Sequence, residues 1–232
     1  MVPAAEPTPL PPSRLVFSDV DETLIDCKSM FDFLDHYLSE HYGSDGADRA
    51  GRVRAELLAR AARGVPREET NRAYYRAWAG EPVTRVAESG ERWFARRSAD
   101  PSFFLAGTRA ALLEHRAGGA ALILVSGSFP AVLDPLARAI GARHVLCTRP
   151  EERGGRFTGA IVGQPMIGVD KGTAVREVLA AYPTVDPADC FAYGDHVSDL
   201  PMLAEVGHPV LVGDRRELLA RLPGAGEPTP LA

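Results

Sequence analysis

Leu15-Val16-Phe17-Ser18-Asp19-Val20-Asp21-Glu22-Thr23-Leu24 is the stretch on which the reading of this chain turns. Its opening apolar run, Leu15 to Phe17, predicts a buried parallel strand, since it is too short for a helix. The strand then delivers two carboxylates, Asp19 and Asp21, two residues apart. Alternate residues of an extended chain point to one side. As the strand ends, both acids therefore lean into one crevice outside the carboxyl edge of a sheet, where open α/β folds bind ligands. Adjacent carboxylates repel unless a cation lies between them or one is protonated. Mg²⁺, which takes a few carboxylate oxygens together with water and substrate phosphate, meets that need. Alone, such a pair more often reads as a strand running into a polar turn, so the remaining chain has to decide.

Outward from this stretch the chain divides. Residues 1–13 are rich in proline and residues 223–232 in proline and glycine, and both are expected to be flexible tails. From 28 to 100 the apolar residues recur at helical period, around Met30 to Leu38, Val53 to Leu58, Tyr74 to Trp78 and Val86 to Phe94. Breaks fall at Gly43 to Gly46, Gly64-Val65-Pro66 and Gly80-Glu81-Pro82. About four helices and no strand are expected there, a helical cap with the aromatics mainly in its own core. Residues 14–27 and 101–222 return to alternating strands and helices. Strands are expected at Ala120 to Val125, His144 to Thr148, Cys190 to Tyr193 and Val210 to Val212. A small hairpin is expected within Arg156 to Val162, and a last helix capped by Asp214. The fold class is α/β: a Rossmann-like parallel sheet with helices on both faces, carrying a small all-helical insert.

In a parallel sheet every strand's carboxyl end opens onto one edge. The residues delivered there are Asp19 and Asp21, then Ser126 and Gly127, then Asp195 and Asp199, with Lys171 at the start of a nearby helix. This set suits phosphoryl transfer. A carboxylate attacks phosphorus and a second acid protonates the leaving alkoxide before activating water. A hydroxyl and a glycine amide hold phosphate oxygens, while a lysine and a metal offset the charge. Singly, Ser126 also reads as a helix cap, Lys171 as a solvated residue, and Asp195 and Asp199 as a turn and a cap.

Asp19-Val20-Asp21-Glu22-Thr23, Val125-Ser126-Gly127-Ser128, Lys171-Gly172 and Gly194-Asp195-x-x-x-Asp199 resemble, in order, the four motifs of the haloacid-dehalogenase (HAD) superfamily. The insert after the first motif makes the chain similar to subfamily IB, which includes phosphoserine phosphatase. The resemblance covers about residues 14–222. It implies that Asp19 is the nucleophile, Asp21 the general acid/base, and Ser126, Gly127 and Lys171 the phosphate holders. It also implies Mg²⁺ held by Asp19, the Asp21 backbone carbonyl and Asp195, with Asp199 a further ligand or an orienting residue, and Thr23 supporting the turn. Two features depart from the pattern. Gly194-Asp195-His196-Val197-Ser198-Asp199 stands where the phosphoserine branch has G-D-G-x-N-D. Lys28 stands where a glutamate meets the substrate ammonium, and a lysine there repels an amine.

The expected function is a Mg²⁺-dependent phosphomonoesterase acting on a sugar phosphate or a specialised-pathway intermediate. Phosphoserine phosphatase is the alternative, and a phosphoacceptor or binding protein without turnover the alternative of another class. Lys28, Phe31, Arg72, Arg76 and His196 are the candidates for reading the leaving group. The chain has 232 residues, 45% of them hydrophobic and 25% charged, with a net charge of −5 and no basic patch, so no nucleic-acid partner is expected. No membrane span or signal peptide is evident, and Cys27, Cys147 and Cys190 lack metal-ligand spacing, which together predict a cytoplasmic protein. Only Lys28 and Lys171 among the 26 basic residues are lysines. Where arginine is the default, a retained lysine points to a need for a compact ammonium.

Overall fold

A computed structural model describes residues 12–213 of the chain. The strand expected from Leu15 to Phe17 forms as β1 (Leu15–Ser18), fully buried along its length. It pairs in parallel with β2 (Ala121–Ser126) on one side and β6 (Phe191–Gly194) on the other. With β3 (His144–Cys147) and β7 (His208–Leu211) outside them, the sheet runs β3-β2-β1-β6-β7, every pair parallel. Strand alternation divides the core by face. Leu15 and Phe17 pack with Val175 and Leu179 of α6 (Val169–Ala181) and with Met202 and Leu203 of α7 (Leu200–Leu203). Val16 packs on the opposite side with Leu112 of α4 (Ala106–Ala117) and Leu133 and Leu136 of α5 (Pro130–Ile140).

Between β1 and α4 lies the helical insert: α1 (Ser29–Ala62), α2 (Arg67–Tyr75), a 3-10 turn at Arg76–Trp78, and α3 (Val83–Ser98). The break read at Gly43 is a kink inside α1, where φ is 58° and ψ −138°, a conformation open to glycine and costly to other residues. The four apolar segments thus correspond to the two arms of α1, to α2 with its 3-10 extension, and to α3. Phe33 stacks on Trp78 with ring centroids 5.4 Å apart, and Trp78 meets Phe129, at the head of α5, at 5.3 Å. Insert and sheet domain therefore share one apolar cluster.

One expectation needs correction. Arg156 to Val162 is not a hairpin in itself but one strand, β5 (Arg156–Val162), antiparallel to β4 (Arg149–Arg153). The hairpin fastens the insert. Gly80 donates its backbone N–H to Phe157 at 2.8 Å, Phe157 donates to Glu81 at 3.0 Å, and Val83 donates to Gly155 at 3.0 Å. The cap at Asp214 and the final helix lie outside the described residues.

The insert is also seated through α3, which packs against α5 at Gly90. A Cβ built there would come within 1.9 Å of the Ala131 carbonyl oxygen, a backbone atom that no rotamer change can move aside. Gly90→Ala is therefore expected to lower stability by about 1–3 kcal/mol, despite the ~1 kcal/mol of helix propensity gained. Urea unfolding measures this, and a more stable variant would disprove the close approach.

Candidate active site

Three neighbouring strands supply the site. β1 runs straight into Asp19, whose backbone N–H is anchored on the Tyr193 carbonyl of β6 at 2.9 Å. The chain then turns tightly, with the amides of Leu24 and Ile25 donating to the Val20 carbonyl at 2.9 and 3.0 Å, while Glu22 takes a left-handed φ of 60°. Val20 is fully buried, and Asp19 and Asp21 both face the cleft, as the spacing of two requires. β2 ends at Ser126, whose Oγ accepts the Ser128 N–H at 3.1 Å. No acceptor among the described residues takes the Ser126 hydroxyl proton. β6 ends at Gly194 and leads to Asp195, which accepts the Thr23 hydroxyl at 3.0 Å, so Thr23 ties the first turn to the fourth motif.

At the centre is Lys171, in the first turn of α6 and buried. Its Nζ lies 2.5 Å from Asp19 Oδ1 and 2.7 Å from Asp199 Oδ1. Burial alone would favour the neutral amine, but the Asp19 and Asp199 carboxylates outweigh it and hold the lysine charged. Asp199 is saturated. Its second oxygen accepts the N–H groups of Asp195 and His196 at 3.3 and 3.0 Å. Burial raises the Asp19 carboxyl well above the carboxylate range, Lys171 opposing this and Asp199 adding to it. Asp195 is raised by burial and by Asp199. Burial lifts Asp21 to about 6, with Ser29 hydrogen bonding in opposition, and its Oδ1 is buried without a partner.

Asp19, Asp195 and Asp199 place carboxylate oxygens within 4.8 Å of one another. Three carboxyl groups share one ammonium here, and burial raises two of them, Asp19 and Asp195, toward the protonated form, so a cation could take the place of protons among these hard oxygen donors. A divalent cation such as Mg²⁺ fits that set.

The cleft is a cavity of about 430 Å³ bounded by the sheet edge below and by α1 and α2 above. It brings together Asp19, Asp21, Ser126, Gly127, Lys171, Asp195 and Asp199 with Lys28, Phe31 and His196. Lys28 pairs with Glu22 at 3.1 Å. His196 caps the 3-10 turn that carries Asp199, its Nδ1 accepting the Ser198 N–H at 3.1 Å. Arg72 and Arg76 do not reach the cleft. Arg72 is spent on the Gly163 carbonyl and the Gln164 side chain, and Arg76 lines a separate cavity of about 260 Å³. Both lie on faces of the helical insert that the sequence period alone does not orient.

Sequence reasoning missed Asn71 and Thr70, which line the cleft from α2. Asn71 Nδ2 donates to the Gly127 carbonyl at 3.0 Å, as does the Tyr75 hydroxyl at 2.9 Å. Two polar residues ahead of a Tyr-Tyr pair carry no motif, so nothing in the pattern singled them out.

The profile of the haloacid dehalogenase-like hydrolases matches residues 16–204. The chain belongs to this family. A probable phosphatase of Mycobacterium tuberculosis is 38% identical over 106 residues, 45% of this chain and 36% of that protein. The chain thus spans little more than a third of that relative's length. A phosphoserine phosphatase of Albidiferax ferrireducens is 26% identical over 208 residues, covering 88% of this chain and 80% of its own. Among solved structures, a Bordetella pertussis Tohama I protein described as of unknown function superposes with a TM-score of 0.77 at 28% identity, over 90% of this chain and 95% of that one. A phosphoserine phosphatase solved as a phospho-aspartyl intermediate analogue gives 0.63 at 17% identity, over 86% of each chain, a likeness of fold. The helical insert directly after the first motif, with these neighbours, supports subfamily IB. Among the described residues no helix is long and apolar enough to cross a membrane.

The Asp21 carboxyl binds its proton more tightly folded than unfolded, so its contribution to stability falls as pH rises from about 4 to about 6 and stays low above that. In metal-free protein, Asp21→Asn is therefore expected to be more stable than wild type at pH 7–8, with the difference closing below pH 4. Urea midpoints across pH measure this; a gain independent of pH would disprove the raised carboxyl.

Proposed function

We propose that the chain is a Mg²⁺-dependent phosphomonoesterase that hydrolyses a small-molecule phosphate through an aspartyl-phosphate on Asp19. The observation that carries this reading is the buried Lys171 ammonium, 2.5 Å from Asp19, beside a second carboxyl poised near pH 6. Asp19 Oδ attacks phosphorus, and the ester oxygen leaves with the proton of Asp21. Water then attacks the acyl phosphate, gives its proton back to Asp21, and frees phosphate and Asp19. Ser126 donates its hydroxyl, and Gly127 its N–H, to the phosphoryl oxygens. Lys171 offsets the charge gathering on them. Asp19, the Asp21 backbone carbonyl and Asp195 would hold Mg²⁺, with Asp199 orienting the surrounding amides and Lys171. Such an ion, when bound, would lower the cost of bringing a phosphate dianion up to these carboxylates.

In this reading residues 14–27 and 101–222 form the catalytic domain and 28–100 the cap. The cap roofs the cleft and excludes water. Selectivity falls to groups beyond the phosphate, among them Lys28, Phe31 and His196. Among the described residues Lys28 engages the one lining carboxylate outside the catalytic cluster, which disfavours a substrate ammonium and leaves a sugar phosphate or a specialised-pathway intermediate as the candidate substrates. The Albidiferax relative's name favours a second reading, phosphoserine phosphatase.

Phosphate release from a panel of phosphomonoesters, phosphoserine and hexose phosphates included, tests these readings with and without Mg²⁺. Asp19→Asn is expected to abolish metal-dependent release. Asp21→Asn is expected to slow alkyl phosphates by about 10²–10⁴ and p-nitrophenyl phosphate far less, because that leaving group departs without a proton. Phosphoserine as best substrate would overturn the argument from Lys28. An acyl phosphate persisting for hours would replace turnover by an acceptor role.

A further inference from the structure

Away from its carboxylates the cleft changes character. Met30 and Phe31 at the start of α1, Leu57 and Leu58 on its second arm, Val65 in the following turn and Ile167 opposite form an apolar wall. Leu58 is 55% exposed, one of four large hydrophobic side chains exposed among the described residues. With Leu58 exposed and Met30, Phe31 and Val65 half-buried, part of this wall is open to water inside a concave site, which points to a ligand that covers it. Among the described residues no carboxylate is available on this wall for an ammonium. Asp19, Asp21, Asp195 and Asp199 belong to the catalytic end, and Glu22 holds Lys28.

A second, independent observation lies where the two halves meet. Asn71 touches both, its Nδ2 donating to the Gly127 carbonyl and lying 3.5 Å from Met30 Sδ. Its residue surface is 6% exposed, yet its Oδ1 is buried without a hydrogen-bond partner, as is Thr70 Oγ1 beside it. A buried acceptor left unmatched is costly. A ligand hydroxyl close to the phosphoester would satisfy it.

We propose that the phosphomonoester taken here has a predominantly apolar alcohol as leaving group. Its aliphatic body lies along the wall of Met30, Phe31, Leu57, Leu58, Val65 and Ile167, and one hydroxyl near the ester oxygen donates to Asn71 Oδ1. The inference rests on the phosphatase reading and narrows it: a sugar, whose every face carries hydroxyls, would lay them against this apolar wall, and among the described lining residues no free carboxylate awaits an amino group. The cavity, about 430 Å³, takes a phosphoryl group and a short aliphatic chain.

The test compares kcat/KM for ethyl, butyl and hexyl phosphate, 2-hydroxyhexyl phosphate, glucose 6-phosphate and phosphoserine, with p-nitrophenyl phosphate as a general reporter of phosphatase activity. The proposal expects kcat/KM to rise about threefold to fourfold per methylene up to hexyl, and 2-hydroxyhexyl phosphate to exceed hexyl phosphate by roughly fivefold. Leu58→Asn, at an exposed position that does not threaten folding, is expected to flatten the rise by lowering hexyl phosphate more than ethyl phosphate. Asn71→Leu is expected to erase the preference for the 2-hydroxy compound. If p-nitrophenyl phosphate is hydrolysed but chain length has no effect, or phosphoserine or glucose 6-phosphate outranks hexyl phosphate, the inference fails and the phosphatase reading stands. If no ester, p-nitrophenyl phosphate included, is hydrolysed by folded protein with Mg²⁺, both fail.

Discussion

A single buried ammonium organises the functional end of this molecule. Lys171 reaches Asp19 and Asp199 from one atom, at 2.5 and 2.7 Å, with all three side chains buried. Removing one partner from such a cluster typically costs about 3–5 kcal/mol, because the remaining charges are stranded away from water. The arrangement also explains why a chain that otherwise uses arginine keeps a lysine here. A compact ammonium sits between two carboxylates from different strands, where a planar fork would force them apart. With Asp199 drawn in, its second oxygen collects the amides of Asp195 and His196 and sets the turn after β6. One ion pair thus ties Asp19, at the end of one strand, to the turn that carries Asp195 after the next.

The insert is held to the sheet domain more firmly than a free lid. Phe33, Trp78 and Phe129 form one aromatic cluster across the boundary, α3 lies against α5 through Gly90, and the β4–β5 hairpin adds backbone hydrogen bonds on the far side. The buried Glu81 carboxylate gathers the Tyr37 and Tyr42 hydroxyls and Arg85, tying the first arm of α1 to α3. What borders the cleft is the other side of the insert: the start and second arm of α1, the turn after it, and α2. The same helices therefore present two faces, one packed against the core and one lining the cleft. The kink at Gly43 separates the two arms of α1 and allows this division.

The strand ends were legible because their signals are local. An apolar triplet followed by acids two apart determines by covalent geometry alone that Asp19 and Asp21 share a side. The alternation of strands and helices determines a parallel sheet, whose carboxyl edge must then collect Ser126, Asp195 and Lys171 as well. Gly43, Gly64 and Gly80 marked the breaks in the insert for the same reason, since their left-handed φ values exclude most other residues. The hairpin was half legible: β5 showed its pattern, whereas β4, Arg-Pro-Glu-Glu-Arg, has no apolar face to betray a strand.

The tertiary structure alone decided which residues of the insert look into the cleft. Helical period places Arg72, Arg76, Thr70 and Asn71 on a wheel but does not say which side of the wheel meets the sheet domain. That depends on contacts distant in sequence, such as Asn71 with Gly127 and Arg72 with Gly163. Chemistry carried by strand ends is therefore written in the sequence, because alternation and a shared edge are local properties. Selectivity carried by helix faces waits on packing, because orientation is settled only when apolar surfaces from the whole chain close on one another.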